Sequence, residues 1–119
     1  MVLTTNTTNL EGAMAHYLFS ATYTAAGFAG LKKDGAASRI KALDDAAKSV
    51  GGKLEAMYWS FGKSDVVVLV ELPDNVAAAA ISTTVAASGV ADVRTTVLLS
   101  ANEVDKALDM HPKYRAPGG

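Results

Sequence analysis

Gly51-Gly52-Lys53-Leu54-Glu55-Ala56-Met57-Tyr58-Trp59-Ser60-Phe61-Gly62-Lys63-Ser64-Asp65-Val66-Val67-Val68-Leu69-Val70-Glu71-Leu72-Pro73-Asp74 reads as a strand hairpin set between two helices. The paired glycines end a helix, since glycine takes the left-handed conformation of a helix stop without steric cost. Two runs of strand formers, Lys53 to Phe61 and Asp65 to Leu72, flank a short polar turn. Pro73 then stops the second run, and Asp74 supplies a carboxylate N-cap for the next helix.

Upstream, Ile40, Leu43, Ala47 and Val50 recur at three- and four-residue spacing between charged residues, which predicts an amphipathic helix over Ala36 to Val50. Before it, His16 to Tyr23 has the aromatic and β-branched character of a first strand. Thr24 to Gly35, punctuated by glycines, reads as a loop. Downstream, a helix runs from Asp74 to Ala87 or Ser88 with Gly89 as its stop, and its packing stripe is expected at Ala77, Ala80, Ile81, Thr84 and Ser88. A fourth strand over Asp92 to Ser100 and a short polar helix over Asn102 to Leu108 complete the order. Strand, helix, strand, strand, helix, strand is the ferredoxin-like split βαβ arrangement (βαββαβ), an α+β fold. Right-handed crossovers make it a four-stranded antiparallel sheet with two helices on one face. The expected division is a flexible N-terminal segment over residues 1–14, a domain over 15–108 and a C-terminal tail over 109–119.

Alternation along the hairpin sorts the side chains. With Lys63-Ser64 as a two-residue turn, Phe61 faces Val66, Trp59 faces Val68 and Met57 faces Val70, all on the helix side. Tyr58, Ser60, Val67, Leu69 and Glu71 then occupy the other side with Leu18, Ser20, Thr96 and Leu98. A face this apolar marks an interface, so the expected partner is a second copy of the chain, a homo-oligomer paired through the open sheet face.

At 119 residues the chain holds one domain. Only 7% of it is aromatic although half is hydrophobic, so its core must be built from Val, Leu, Ile and Ala in closely approaching elements. A net charge of -1, from 11 basic and 12 acidic residues, gives no footprint for nucleic acid or an anionic membrane. No apolar run reaches the length of a membrane helix. The first twelve residues lack the basic start and apolar run of a secretory signal. The absence of cysteine excludes disulfides and thiolate chemistry and fits the cytoplasm.

A set of motifs identifies a family. Tyr23-Thr24 with Gly27 and Gly30, Lys33-Asp34-Gly35 with Arg39, and Gly52-Lys53-Leu54-Glu55-Ala56 come first. Phe61-Gly62 with Asp65, Val66-Val67-Val68, Leu72-Pro73-Asp74, and Arg94-Thr95-Thr96-Val97-Leu98-Leu99 with Glu103-Val104 follow. Over about Tyr17 to Val104 the chain resembles the GYD domain family of small bacterial and archaeal proteins. The resemblance implies a fold of the dimeric α/β-barrel type and carries no agreed catalytic residues. Two departures stand out: the naming turn reads Gly62-Lys63-Ser64-Asp65, with Ser64 in place of the tyrosine, and Phe28-Ala29 lie between the glycines where relatives often carry a basic residue.

The segment from Tyr23 through Arg39 is the candidate site, because the end of the first strand, the start of the first helix and the start of the fourth strand share one sheet edge. Tyr23, Lys32, Lys33, Ser38, Arg39 and Arg94 are expected to converge there. Cations beside free helix amides suit a small anionic metabolite such as a carboxylate or phosphate. Trp59, with Phe61, Phe19, Tyr17 and Met57, is expected to line an apolar layer or cavity under the helices. No cofactor motif is present. His16 and His111 lie far apart in the expected fold, so no metal site is expected. Asp65 and Glu71, six residues apart on one strand, are about 20 Å from each other and cannot act on one bond. The expected function is an oligomeric small-molecule-binding or interaction module; the alternative is a cofactor-independent oxygenase or isomerase of the dimeric α/β-barrel type.

Overall fold

The computed structural model describes residues 14–119; the N-terminal segment expected at 1–14 lies almost wholly outside them. The elements, in order, are β1 (Ala15–Tyr23), α1 (Ala25–Asp34), α2 (Ala36–Ser49), β2 (Lys53–Trp59), β3 (Val66–Leu72), α3 (Asn75–Ala87), β4 (Ala91–Leu98) and α4 (Ala101–Leu108). The four strands form one open sheet in the order β2-β3-β1-β4, every neighbouring pair antiparallel. This is the expected ferredoxin-like α+β fold.

Alternation in the two central strands makes the core. Tyr17, Phe19 and Ala21 of β1 and Val66, Val68, Val70 and Leu72 of β3 are buried beneath Ala47 of α2 and Ala77, Ala78 and Ile81 of α3. The two long helices therefore share one face. Small residues set the spacing: Gly52 lies so close to the Glu71 carbonyl that a Cβ would sit 2.2 Å from its oxygen. Asp74 caps α3 by accepting from the Ala77 amide at 2.9 Å, and Gly89, at φ 78, ends the segment.

The structure corrects the sequence reading at three places. The segment read as a loop over Thr24 to Gly35 contains helix α1. Thr24 caps it by accepting from the Gly27 amide at 3.2 Å, while its own amide and hydroxyl donate to the carbonyls of Val90 and Gly89. Gly27 is there for contact, since a Cβ would stand 2.0 Å from the Val90 oxygen.

The hairpin register is displaced by two residues: Trp59 pairs with Val66 and Met57 with Val68, and Phe61 is outside the strand, at φ 50 and 60% exposed. The connection is longer than two residues because the Ser60 amide donates to the Asp65 carbonyl and the Gly62 amide to that of Ser64. A two-residue displacement preserves the faces, so Met57, Trp59, Val66, Val68 and Val70 still point to the helices. A bulge between Leu54 and Ala56 leaves Glu55 without a partner on β3.

The stripe of α3 is also rotated. Ala77, Ala78 and Ile81 are buried with Val85 against the core, whereas Ala80, Thr84 and Ser88 are exposed. A helix made almost entirely of small residues carries too little contrast for its period to locate its face.

Helix α4 begins with a capping box: the Ser100 hydroxyl accepts from the Glu103 amide and the Glu103 carboxylate accepts from the Ser100 amide. It buries no residue. Among the described residues, no helix is long and apolar enough to cross a membrane.

Candidate functional site

Where β1 ends, its neighbour β3 has just begun, and the chain turns away before Asp65. The Asp65 amide donates to the Ala21 carbonyl at 2.9 Å and its carboxylate accepts from the Tyr23 amide at 2.8 Å. A side-chain oxygen thus stands where the next ladder carbonyl would be, and Asp65, only 8% exposed, is the buried charged residue of the described chain. The carboxylate fixes the last residue of β1, and with it the Tyr23 side chain.

Tyr23 points to the helix side of the sheet. Its hydroxyl accepts from Trp59 Nε1 at 3.1 Å, and its ring meets Phe28 of α1 edge-on at 5.2 Å between centroids. Phe28 in turn stacks on Phe61 at 6.4 Å. Trp59, Tyr23, Phe28 and Phe61 thereby form an aromatic rim drawn from β2, β1, α1 and the hairpin connection. The rim gains from edge and stacked geometries beyond simple area burial.

Beside this rim opens a cavity of about 50 Å³ between the sheet and helices α2 and α3. Phe19, Tyr23, Met57, Val66, Val68 and Val93 form its floor, and Arg39, Leu43, Ile81, Ser82 and Val85 its roof and mouth. Arg39 is the only charged residue of the lining. Among the described residues no carboxylate lies within ion-pair distance of it. An apolar chamber with one unneutralised guanidinium suits a ligand with a small apolar body and an anionic group. The lining has no carboxylate, imidazole or thiol, so Tyr23 supplies its one hydroxyl able to move a proton apart from Ser82.

A second, wider groove of about 300 Å³ runs between α3 and the edge strand β4, lined by Tyr17, Asn75, Ser82, Thr83, Thr95 and Val97 among others. At its base the Tyr17 hydroxyl donates to Asn75 Oδ1 at 2.7 Å. Burial, and then the nearby charge of Asp74, raise the Tyr17 phenol above its ordinary pKa and keep it a neutral donor.

Of the residues expected from sequence, Tyr23, Arg39 and Trp59 come together. Lys33 and Ser38 do not join them. Lys33 is exposed in the last turn of α1, and the Ser38 hydroxyl donates back to the Gly35 carbonyl at 3.1 Å. Arg94 is excluded by parity: it pairs with Ser20, and both point to the open face, away from the cavity. The expected convergence at one sheet edge ignored which side of the sheet each residue serves. Sequence reasoning also missed Phe28 as rim and Asp65 as a positioning carboxylate, and it put Phe61 beneath the helices where the structure has it exposed on the hairpin connection. The available signal for Asp65 was an acidic residue directly before a run of valines, at the strand end nearest Tyr23.

A family model described as the GYD domain matches residues 17–108. No match was found among curated proteins or among solved structures.

Proposed function

The chain belongs to the GYD domain family, whose model spans most of its length, and from that premise and its cavity we propose that it is an oligomeric binding module for a small carboxylic acid. The observation that carries the reading is Arg39, the lone charge at the mouth of an apolar cavity rimmed by Tyr23 and Trp59. The guanidinium pairs with the carboxylate, and the apolar part of the ligand replaces water against Phe19, Met57 and Val68. A cavity of about 50 Å³ selects a ligand body of only a few heavy atoms. This is a smaller space than the ~300 Å³ or more typical of sites for drug-sized molecules.

The oxygenase or isomerase alternative requires a group poised to take a proton from the substrate, and the lining favours binding because it offers no carboxylate or imidazole. The oligomer forms through the open sheet face, where Tyr58 is 65% exposed and Leu18, Val67 and Leu69 are only partly covered within one chain. Absence of cysteine suits a cytoplasmic setting.

Trp59 is the only tryptophan, and its hydrogen bond to Tyr23, which lines the cavity, makes its emission a reporter of binding there. Titration with linear carboxylates of rising chain length should change that emission, with affinity passing through a maximum at a short chain and weakening as salt screens the charge. The matching neutral amides should bind at least tenfold more weakly, and Arg39→Gln should remove the preference for the acid. Equal responses to acid and amide, or an undiminished preference in Arg39→Gln, would refute the reading.

A further inference from the structure

On the side of the sheet opposite the cavity, three adjacent strands bring together a histidine and two glutamates that sequence reasoning did not group. His16 of β1 pairs directly with Glu71 of β3, and Glu71 pairs with Lys53 of β2. Glu55, the unpaired residue of the β2 bulge, reaches across β3 so that its Oε2 lies 3.0 Å from His16 Nδ1. One ligand atom each from His16, Glu55 and Glu71 lies within 4.8 Å of the other two.

The bulge creates this arrangement. Strict alternation from Met57 backward would send Glu55 into the core beneath α2; the extra residue keeps Leu54 opposite Val70 on the core side and frees Glu55 for the open face. Bulges recur where a side chain must be re-aimed next to a site.

We propose that His16, Glu55 and Glu71 hold one divalent transition-metal ion. An imidazole with two carboxylates is a donor set for zinc and its first-row neighbours, whereas magnesium and calcium prefer oxygen alone. Bonds of about 2.0–2.1 Å to a tetrahedral ion place donors roughly 3.3 Å apart, so the three side chains need close by only about an ångström and a half at most. Partial exposure leaves them free to do so: the side chains of His16, Glu55 and Glu71 are 39%, 33% and 22% exposed. Three protein donors leave a fourth position, for water or for a donor of the second copy that covers this sheet face. Lys53 is the internal competitor, its Nζ 3.7 Å from Glu71 Oε2, where it offsets part of the charge that the ion would neutralise. The ion sits on the other face from Arg39, so the carboxylate site can fail without affecting this one.

Calorimetric titration of chelator-treated full-length protein with Zn²⁺ at neutral pH tests the assignment. One ion should bind per chain, and Mg²⁺ should not compete. His16→Gln and Glu71→Gln, with folding checked by circular dichroism, should each weaken binding at least tenfold, while His111→Gln should bind as the parent does. Lys53→Met should bind more tightly, a gain that damage to the fold would not produce. In proton NMR, Zn²⁺ should shift the ring resonances of His16 and leave those of His111 in place. Absence of Zn²⁺ uptake, uptake that survives His16→Gln, or weaker binding in Lys53→Met would overturn the proposal.

Discussion

Replacing Asp65 with alanine removes the acceptor of the Tyr23 amide and leaves the main-chain bonds of residue 65 to Ala21 and Ser60 in place. The loss therefore isolates one side-chain function. A hydrogen bond to a charged acceptor contributes about 1.5–3 kcal/mol, and a buried amide left unpaired costs about the same. Burying the carboxylate itself carries a desolvation cost that its removal returns. A net destabilisation of about 2 kcal/mol follows from these opposing contributions. With a urea slope of about 1–3 kcal/mol per molar for a small protein, the unfolding midpoint should fall by about 1 M with the slope unchanged. The melting temperature should fall by roughly 10 °C, at about 4–8 °C per kcal/mol for a domain near this size. Asp65→Asn keeps an acceptor oxygen of the same shape and should lose less than half as much. A change under about 0.5 kcal/mol in Asp65→Ala would refute the account, since an exposed amide can turn to water at little cost. A loss in Asp65→Asn equal to that in Asp65→Ala would show that charge, and not the ladder bond, is what the fold uses.

Two glycines of α1 should respond in opposite directions to alanine. Gly27→Ala should destabilise by about 1–3 kcal/mol through overlap with the Val90 carbonyl, whereas Gly30→Ala, with nothing within 4 Å of the new methyl, should stabilise by about 0.5–1 kcal/mol through helix propensity; denaturant unfolding separates them. Sedimentation should find an assembly in the parent at micromolar concentration, and Leu69→Asp should dissociate it by placing an unpaired charge in the covered face; a monomeric parent would refute the interface. The Ser100 amide and hydroxyl, binding the Glu103 carboxylate, hold it below the ordinary value of 4.5. A depressed folded-state pKa stabilises above the unfolded value and loses that contribution as pH falls through the folded one. The protection of α4 amides, corrected for the intrinsic pH dependence of exchange, should accordingly fall as pH drops below about 4.5, and Glu103→Gln should flatten the dependence.

The sequence made the order of elements legible because its punctuation is chemical: Gly51-Gly52, Pro73-Asp74 and Gly89 each stop or start an element by local means. The faces of β1 and β3 were legible for the same reason, since Tyr17, Phe19 and Ala21 alternate cleanly with polar or half-buried neighbours. Helix α1 was not, because Gly27 signals a loop by propensity while serving a contact with Val90, which lies far along the chain. The bulge at Glu55 left a trace that could have been used. An inward register for Met57 and Trp59 forces a glutamate into the core unless one residue is inserted, and that contradiction locates the irregularity. Within the candidate site, Tyr23 and Arg39 are legible together from strand and helix ends, whereas Trp59 reads separately, as a residue of the apolar layer, and only the structure joins it to Tyr23. Arg94 was misplaced because a shared sheet edge says nothing about which side of the sheet a residue faces, and parity with Ser20 decides that.

The position of β1 also bears on how the chain reaches its native state. It is a central strand, yet its partners arrive late: Ala15 pairs with Leu72, and His16 with Leu98. A strand that must wait for distant segments incurs loop-closure entropy before its ladder bonds compensate, which slows folding relative to a chain of local contacts. During synthesis β1 can join β3 once the hairpin has emerged, but its other edge stays bare until β4 leaves the ribosome. An unpaired central edge is a template for pairing with another chain. The interval between the emergence of β3 and that of β4 is therefore when nascent copies are most prone to aggregate, and slowing translation across α3 should lower the soluble yield.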